Sequence, residues 1–376
     1  MMKVLHCFND EIHSVNCIRV LQKYDDQVEQ IFLHVGSCQQ QYKRLKDVFD
    51  KIVFIERDNF IYYVNNNGFD AVFIHNITTV PITVLYKVDK NIKIFWFSWG
   101  FDIYSPIAHK PFVKLNLYKR LTRKNISKSF IYRLRIIHGF LNRWSKRKYI
   151  YKSISRIDYY SGVLPIEYDL MSTNKFFKAK QVDFSYINGR STSESDNLQI
   201  YDNLKTSVLL GNSGDPTNNH LDAMALLHKT GYSGEIYAFL SYGGTADYVT
   251  KVKNGGMKMF GSRFHPITDF LSFEDFNQII QTCGNMIMYH ERQQAMGNIY
   301  QGLLNGCKVY LSETSVTYKY LKSVGYIVFA MQKDLDLYNL TSMLTVEQVS
   351  HNRQLLNRFV SIEAAYKKID VIYRMI

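Results

Sequence analysis

The chain has 376 residues, and 46% of them are hydrophobic. This length and composition predict two to three domains with full-sized hydrophobic cores. No run of about 18 apolar residues occurs, so we expect no membrane-spanning helix. The five cysteines are scattered and lack metal-ligand spacing, a pattern typical of reduced thiols in a cytosolic protein.

Positive charge is concentrated in one segment. The formal net charge is +13, yet residues 110–156 hold fifteen Lys and Arg and no Asp or Glu. Because each Lys or Arg near an anionic leaflet contributes about 1 kcal/mol, about five or six of them would hold the protein at a membrane. The alternatives are a solvated basic face and a nucleic-acid surface, although no recognised nucleic-acid motif accompanies the charge. Interleaved aromatic residues predict a pair of amphipathic surface helices here: Phe112, Tyr118, Phe130, Tyr132, Phe140, Trp144, Tyr149 and Tyr151.

Short apolar runs alternate with helical patterns in two parts of the chain. The first part contains five predicted strands: Val4–Phe8, Gln30–Val35, Ile52–Ile55, Ala71–Ile74 and Ile92–Ser98. The second part contains six: Thr206–Leu210, Glu235–Leu240, Met257–Phe260, Asn285–Tyr289, Lys308–Leu311 and Tyr326–Phe329. Two series of this kind predict an α/β protein with two doubly wound parallel sheets.

The order of these elements predicts the domain boundaries. Residues 1–190 form an N-terminal domain that includes the basic segment 110–156. A polar, turn-rich stretch predicts a linker at residues 191–203, followed by a C-terminal domain at 204–345. Residues 346–376 are helical in pattern and too short for a third domain, so we expect them to pack back across the first.

A stretch of small and polar residues, GNSGDPTNNH, joins a predicted strand to a helical run. Such a strand-to-helix corner presents backbone N–H groups and a helix N-terminus to a bound anion. The helix dipole alone contributes roughly 0.3–1 kcal/mol to a bound phosphate. Either of the two consecutive asparagines can cap the following helix. The candidate anion-binding residues are Gly211, Asn212, Ser213, Gly214, Asp215, Asn218 and Asn219.

A second corner of the same design, YHERQQAMGNIY, follows the predicted strand Asn285–Tyr289. Arg292 and the amides near Gly297 are suited to hold a diphosphate, with amide side chains as neutral donors. A capped turn without a ligand explains either corner alone, but two such corners in one domain favour a shared anion site. The further candidates here are Glu291, Gln293, Gln294, Asn298 and Gln301.

Ligands of doubly wound sheets bind in the loops that follow the strands. Asp102 follows the fifth predicted strand and is a candidate general base, or else a carboxylate that caps the next turn. His13, in the first βα loop, is the other candidate base, because an unperturbed histidine changes its charge near neutral pH; a capping or exposed role is its alternative. Glu291 is a third possibility. The neighbours expected to face the same cleft are Asn16, Trp99, Gly100 and Tyr104.

These motifs resemble glycosyltransferase family 56, the TDP-N-acetylfucosamine:lipid II transferases. GNSGDPTNNH is similar to the family's Gly-Asn-Ser-Gly-Asp-x-x-Asn-Asn-His signature, and Arg292–Gly297 is similar to its Arg-Gln-Gln-x-x-Gly. Trp99–Tyr104 looks like its Trp-Gly-x-Asp-x-Tyr, and the match is spread over most of the chain. Gln293 and Gln301 stand where many GT-B transferases carry two glutamates, which separates this chain from the broad retaining GT-B families.

The resemblance implies a GT-B fold, with an acceptor-side N-terminal domain and a nucleotide-sugar-binding C-terminal domain facing a cleft. It implies transfer of a 4-acetamido-4,6-dideoxygalactose-like sugar from a TDP-sugar to a polyprenyl-diphosphate-linked saccharide. Such an enzyme is peripheral at the cytoplasmic face of the inner membrane and serves a surface polysaccharide of the enterobacterial common antigen or O-antigen type. The alternatives are a GT-B transferase with a UDP- or GDP-sugar donor and a basic polyanion-binding protein without enzymatic activity.

We expect a metal-independent reaction without a cofactor, because no His or Cys cluster has ligand spacing. Asp334 and Asp336 match the metal-binding Asp-x-Asp of GT-A transferases by letters only, and a solvated loop is the simpler interpretation. The two C-terminal corners are expected to stabilise the departing nucleoside diphosphate. Asp102 or His13 is expected to assist the acceptor hydroxyl, and we expect an anionic membrane surface, and no nucleic acid, as the macromolecular partner.

Overall fold

The computed structural model describes residues 1–24, 26–36, 45–108, 110–126, 130–185 and 206–376. The chain divides into two compact units, each built around one parallel sheet. The first unit comprises Met1–Lys114, Leu134–Ser191 and Val360–Ile376, and the second comprises Leu115–Arg133 and Thr192–Phe359. Part of the basic segment, residues 115–133, therefore belongs to the second unit and not to the N-terminal domain in which the sequence placed it. The predicted linker 191–203 lies outside the described residues.

The first unit contains a seven-stranded sheet in the order β3-β2-β1-β4-β5-β6-β7. Its strands are β1 Met2–Cys7, β2 Val28–Val35, β3 Ile52–Ile55, β4 Ala71–His75, β5 Lys93–Phe97, β6 Tyr159–Ser161 and β7 Lys180–Gln181. All neighbouring strands are parallel. Both faces of such a sheet are covered, which is why β4 and β5 are almost continuously apolar. The sequence did not predict β6 and β7, which are too short to form an apolar run.

The second unit contains a six-stranded parallel sheet in the order β10-β9-β8-β11-β12-β13. Its strands are β8 Ser207–Leu210, β9 Ile236–Phe239, β10 Phe264–Ile267, β11 Cys283–Met288, β12 Lys308–Leu311 and β13 Phe329–Ala330. The strand order reverses between β8 and β11, so the loops after these two strands open side by side.

Helices connect the strands throughout the described residues. They are α1 Ile12–Leu21, α2 Phe60–Asn66, α3 Phe101–Tyr104, α4 Arg120–Asn125, α5 Phe130–Arg156, α6 Ile166–Ser172, α7 His220–Lys229, α8 Ala246–Phe260, α9 Phe273–Thr282, α10 Met296–Leu304, α11 Val316–Val324, α12 Leu337–Thr341, α13 Val346–Val360 and α14 Ile362–Tyr373. Among the described residues, no helix combines the length and the apolar composition needed to cross a membrane.

One predicted strand is wrong. Residues 257–260 are the last turn of α8, whose first turn is capped by the side chain of Thr245. The sequence analysis predicted a strand at Met257–Phe260. In the structure a Cβ on Gly256 would lie 2.3 Å from the ring of Phe264, so this glycine allows α8 to pack closely on β10. The strand itself is therefore found later, at Phe264–Ile267.

The carboxyl-terminal residues pack into the first unit. Ile369, Ile372 and Tyr373 of α14 join the buried cluster formed by α1 and the first sheet. The hydroxyl of Tyr373 donates a hydrogen bond to Oε1 of Gln30 at 2.8 Å. Helix α13, just before it, belongs to the second unit. The 346–376 tail is thus divided between the two units at Val360.

Candidate active site

The two polar corners lie side by side at the carboxyl edge of the second sheet. Strand β8 leads into the first corner and β11 into the second, and the two strands pair in parallel with Leu210 opposite Ile287. Carboxyl ends of parallel strands meet at one edge, so the corners are neighbours although about eighty residues separate them in the sequence. We call the two segments the first turn (residues 211–219) and the second turn (residues 289–295).

The first turn adopts backbone conformations that few residues tolerate. Gly211 has φ +68°, and a Cβ there would lie 2.7 Å from Nε2 of His220. Asp215 accepts a hydrogen bond from the Thr217 amide at 2.8 Å and so begins a short 3-10 turn. Asn219 is left-handed, with φ +53°, and directly precedes α7. The order of glycine, aspartate and asparagine therefore fixes this corner locally.

Asn218 connects the two turns. Its Oδ1 accepts hydrogen bonds from the Asn212 amide at 3.0 Å and from Nε2 of His290 at 2.8 Å. Its Nδ2 donates to the carbonyl oxygens of Ser213 and Asp215, both at 3.0 Å. The Asn218 side chain is only 1% exposed, so its own polar atoms are shielded from water. Asn218 is therefore a structural hub and not a direct ligand contact, contrary to the sequence expectation.

Two further amide side chains join the turns. Gln294 donates from Nε2 to Oδ1 of Asn212 at 3.0 Å, and its Oε1 accepts from Oγ1 of Thr217 at 2.7 Å. Nδ2 of Asn219 donates to the carbonyl oxygen of Tyr289 at 3.0 Å. Asn219 is fully buried, so it too maintains the corner and does not reach a ligand. The structure thus brings the predicted residues together, but it uses many of them to build a rigid frame.

The accessible part of the site is the amino end of α10. Ala295 directly precedes this helix, with φ +57° and no side-chain cap. By helix geometry, the first N–H groups of α10 have no intrahelical partner. Gly297 is exposed, Asn298 and Gln301 are half-buried, and a Cβ on Gly302 would lie 2.6 Å from Cε of Met286 in the sheet below. Backbone N–H groups and the helix dipole at this position are suited to a phosphate or diphosphate.

Two side chains of the second turn lie beside this helix end. Gln293 is 6% exposed, and within the described part of the chain its Oε1 has no hydrogen-bond partner. Arg292 is half-buried, and its Nη1 donates to the carbonyl oxygen of Gln293 at 3.2 Å. A guanidinium beside a helix amino end adds positive charge where a diphosphate would lie.

Glu291 is held by a residue that sequence reasoning missed. Lys119, from the segment preceding α4, forms an ion pair with Glu291 and donates to Oγ of Ser312 at 3.2 Å. The same carboxylate accepts hydrogen bonds from Ser312 at 2.7 Å and from Thr314 at 2.8 Å. With an ammonium and two hydroxyls bound, Glu291 is occupied as a structural anion. Nothing distinguished Lys119 from its basic neighbours in the sequence.

The loop after β9 covers the first turn. The Gly214 amide donates to the carbonyl oxygen of Tyr242 at 2.7 Å, and Nδ2 of Asn212 donates to the Tyr242 hydroxyl at 3.0 Å. Gly244 has φ +71°, and a Cβ there would lie 2.1 Å from the carbonyl oxygen of Gly214. The tandem glycines 243 and 244 were the available sequence signal for this close approach. Tyr242 remains 53% exposed at the rim of the site.

The structure contradicts a catalytic role for Asp102. Its side chain is completely buried, and its oxygens accept hydrogen bonds from the Ile77 amide at 3.1 Å, Nε1 of Trp96 at 2.9 Å and the Trp99 amide at 2.9 Å. Burial raises the pKa of Asp102 to about 6, against the lowering effect of these donors. A carboxylate enclosed in this way cannot reach a substrate hydroxyl. Asp102 closes the turn that Gly100 begins with φ +84°.

Tyr104 is also part of the core. It is 3% exposed, and its hydroxyl donates to Oε1 of Glu167 at 2.8 Å. Glu167 is itself fully buried, and desolvation raises its pKa to about 7. The expected acceptor-side position is therefore wrong for Tyr104, whereas Trp99 remains half-buried.

The remaining first-unit candidates lie in α1, directly after β1. Asn16 is half-buried on this helix. His13 is in its first turn, at the carboxyl edge of the first sheet, and its side chain lies outside the described residues. Its role as a base stays a prediction.

Asp334 and Asp336, which match the Asp-x-Asp motif of GT-A transferases by letters only, have a local structural role. Asp336 caps α12 by accepting from the Asn339 amide at 2.7 Å, and Asp334 accepts from the Ala330 amide at 2.7 Å. The residues that the structure describes contain no group of three or more His, Cys, Asp or Glu side chains placed to hold a metal ion.

Solved structures that are similar to this chain include glycosyltransferases. The Anabaena protein HepE, solved in complex with UDP and glucose, has a TM-score of 0.61 and 11% identity, with 100% of both chains covered. A glycosyltransferase from Rickettsia africae gives the same TM-score and identity, with 100% of this chain and 98% of that chain covered. At this identity the likeness establishes the fold, which is GT-B.

A comparison with protein-family models gives a second, sequence-based similarity. Residues 158–336 match the family model described as 4-alpha-L-fucosyltransferase glycosyl transferase group 56, which confirms the resemblance to glycosyltransferase family 56. The matched range contains the first turn, the second turn and α10. The family match and the GT-B fold together define this chain as a glycosyltransferase.

Proposed function

We propose that this glycosyltransferase moves a deoxyamino sugar, similar to 4-acetamido-4,6-dideoxygalactose, from a TDP-sugar to a polyprenyl-diphosphate-linked saccharide. The acceptor class and a peripheral location at the cytoplasmic face of the inner membrane are part of the same proposal, as is a role in surface polysaccharide synthesis. The observation that carries it is the direct hydrogen bonding of the two turns beside the open amino end of α10, within the range matched by family 56.

The donor diphosphate is proposed to bind the backbone N–H groups at the amino end of α10 and the guanidinium of Arg292. During transfer, negative charge accumulates on the departing nucleoside diphosphate, and fixed N–H groups stabilise that charge without reorganising. The frame around Asn218 and Gln294 holds these groups in position. Because the helix end and Arg292 supply the positive charge, we propose that turnover needs no metal ion and persists in excess EDTA.

His13 is proposed as the base that accepts the proton of the acceptor hydroxyl. It follows the first strand of the first sheet, the position where ligands of such sheets bind. We expect His13→Gln to lower kcat by about 100-fold or more, with nucleotide affinity unchanged. His228→Gln, a change of the same type on the exposed surface of α7, is the control. Full turnover in the His13 variant would remove this residue from the mechanism.

A thermal-shift comparison of TDP, UDP and GDP tests the donor. A ligand at 100 times its Kd stabilises the folded protein by about 2.7 kcal/mol, so the preferred nucleotide raises Tm most. We expect TDP to do so, and Arg292→Gln to weaken its effect. The matched control is Arg263→Gln, because Arg263 donates to the carbonyl oxygen of Tyr232 and precedes β10, at the opposite edge of the sheet.

The alternative donor is a UDP-sugar, since the HepE structure with the same fold contains UDP. A larger Tm shift with UDP than with TDP would favour this alternative. No shift with any of the three nucleotides would contradict the proposed site. Transfer of labelled sugar from the TDP donor into the lipid fraction of membranes, dependent on this enzyme, tests the acceptor class.

A further inference from the structure

Helix α5 has an outward-facing apolar stripe. Ile137, Leu141 and Trp144 follow one another at intervals of four and three residues, which places them on one side of the helix. Their side chains are 55%, 59% and 43% exposed, and the adjacent Phe140 is 40% exposed. A helix of a globular protein normally turns such a stripe toward the core.

The buried side of α5 lies opposite this stripe. Ile150, Ser153 and Ile154 are at most 3% exposed, and they attach the second half of the helix to the first unit. Leu141 and Ile150 are nine residues apart, which is two and a half turns at 3.6 residues per turn. The two side chains therefore point in opposite directions, so the apolar stripe is not an extension of the core contact. None of residues 137–149 is buried.

The charge of residues 137–152 indicates what covers the apolar stripe. Residues 137–152 contain five cations and no Asp or Glu: Arg143, Lys146, Arg147, Lys148 and Lys152. The guanidinium of Arg147 lies 3.9 Å from the centroid of the Trp144 ring, and the rings of Phe140 and Trp144 are 5.9 Å apart. An exposed helix surface that combines Trp, Phe and Leu with Lys and Arg and has no acidic residue is suited to an anionic membrane interface.

Other occupants fit this surface less well. A second copy of the chain would bring two sets of five positive charges together, which repel at short range. A neutral apolar partner would leave the cations without a function. By contrast, the other half of the basic segment is used within the second unit: Lys119 pairs with Glu291, and the amides of Leu121 and Thr122 bind Asp222, each at 2.8 Å. In the other part of the segment, every residue from 137 to 149 is exposed or half-buried.

We propose that the exposed surface of α5 between residues 137 and 152 is the membrane-docking face, with Ile137, Leu141 and Trp144 inserted between anionic lipid headgroups. Phe140 and Trp144 lie at headgroup level, and the five cations bind lipid phosphates. This inference deepens the peripheral location proposed above, because it names the face that contacts lipid. It does not depend on which nucleotide the donor carries.

Vesicle co-sedimentation tests the proposal with the full chain. Vesicles of phosphatidylcholine with 30% phosphatidylglycerol are expected to bind the protein, and vesicles of phosphatidylcholine alone are expected to bind it weakly. Raising the salt concentration is expected to weaken binding, because ions screen the charges. The triple variant Arg143→Gln, Arg147→Gln and Lys148→Gln is expected to lower the partition coefficient on the order of 100-fold, about 1 kcal/mol for each charge.

The apolar part has its own variant and control. Leu141→Ser with Trp144→Ser is expected to lower the partition coefficient roughly tenfold or more. Leu337→Ser with Tyr338→Ser removes a similar pair, 45% and 78% exposed, from the second unit and is expected to bind as the unmodified protein does. A charge-matched control is Lys229→Gln, Lys258→Gln and Lys322→Gln, three exposed lysines outside α5.

The outcomes separate this inference from the proposed function. Every variant is expected to keep its TDP-induced Tm shift, which also shows that it is folded. Equal binding to neutral vesicles, or unchanged binding of both α5 variants, would overturn the docking face while leaving the transferase proposal intact. Salt-sensitive binding to DNA without binding to anionic vesicles would identify the surface as a nucleic-acid site instead.

Discussion

Replacement of Asn218 by alanine tests whether the two turns act as one frame. The change leaves two donors, the Asn212 amide and Nε2 of His290, without their shared acceptor. It also leaves the carbonyl oxygens of Ser213 and Asp215 without the Asn218 donor. Leaving a buried polar group without a partner costs about 1–3 kcal/mol. Some of the four groups will find water or each other, so we expect a net loss of about 3–5 kcal/mol in the free energy of unfolding.

The assay compares two buried asparagines in the second unit. Asn352, in α13, is also fully buried, and it binds the Ile327 amide at 2.8 Å and the Ile327 carbonyl at 3.2 Å. Urea unfolding is expected to show a loss of stability in both Asn218→Ala and Asn352→Ala. Only Asn218→Ala is expected to lose nucleotide affinity in calorimetry, because only Asn218 positions the second turn. If both variants keep the same affinity, the frame does not organise the nucleotide site.

Three further changes probe the surroundings of the turns. Gly244→Ala places a Cβ 2.1 Å from the Gly214 carbonyl at φ +71°, so we expect a loss of about 2–3 kcal/mol in urea unfolding, and normal stability would contradict the close approach. Lys119→Met leaves the Glu291 carboxylate, 11% exposed, without its cation; we expect a loss of about 1–3 kcal/mol, partly recovered when Glu291→Gln is added, and no recovery would refute the pairing. Burial holds the pKa of His290 well below its usual value, so protonation of the unfolded chain below pH 6.5 destabilises the native protein but not His290→Gln. The stability advantage of the unmodified protein should therefore shrink by up to about 1.4 kcal/mol per pH unit as pH falls below 6.5, and parallel curves would exclude this effect.

Hydrophobic pattern predicted most of the fold because strands of a covered parallel sheet are continuous apolar runs. For that reason the sequence predicted the strands that begin at Met2 and Ala71 in the first sheet and at Lys308 in the second. Pattern failed where packing decided the structure. Residues 257–260 were predicted as a strand, yet they end a helix in which Gly256 lies against the ring of Phe264 in β10, a contact that no local window shows.

The sequence predicted where the two turns lie, but it predicted the roles of their side chains only in part. The turns after β8 and β11 were expected to lie together, and they do, because strand order places them at one edge. Sequence cannot say which polar side chains are used by neighbouring backbone groups. Asp102 illustrates this limit: three donors from different positions in the chain enclose it, and only Trp99 is its close sequence neighbour. Lys119 illustrates the converse, since its side chain contacts Glu291 and Ser312, which lie 172 and 193 positions away.

The residue types in the stretch GNSGDPTNNH have a physical explanation in this structure. An asparagine at 218 presents one acceptor to two donors and one donor group to two carbonyls, which neither aspartate nor serine can do. Asn219 has the left-handed backbone that asparagine tolerates better than most residues and binds the second turn with its amide. Asn218 and Asn219 thus bind the two turns to each other, while the amino end of α10 stays accessible for the proposed ligand. A stabilising dipole contributes most to catalysis when it is fixed before charge develops, so a buried, hydrogen-bonded frame beside the amino end of α10 is consistent with the proposed departure of a nucleoside diphosphate.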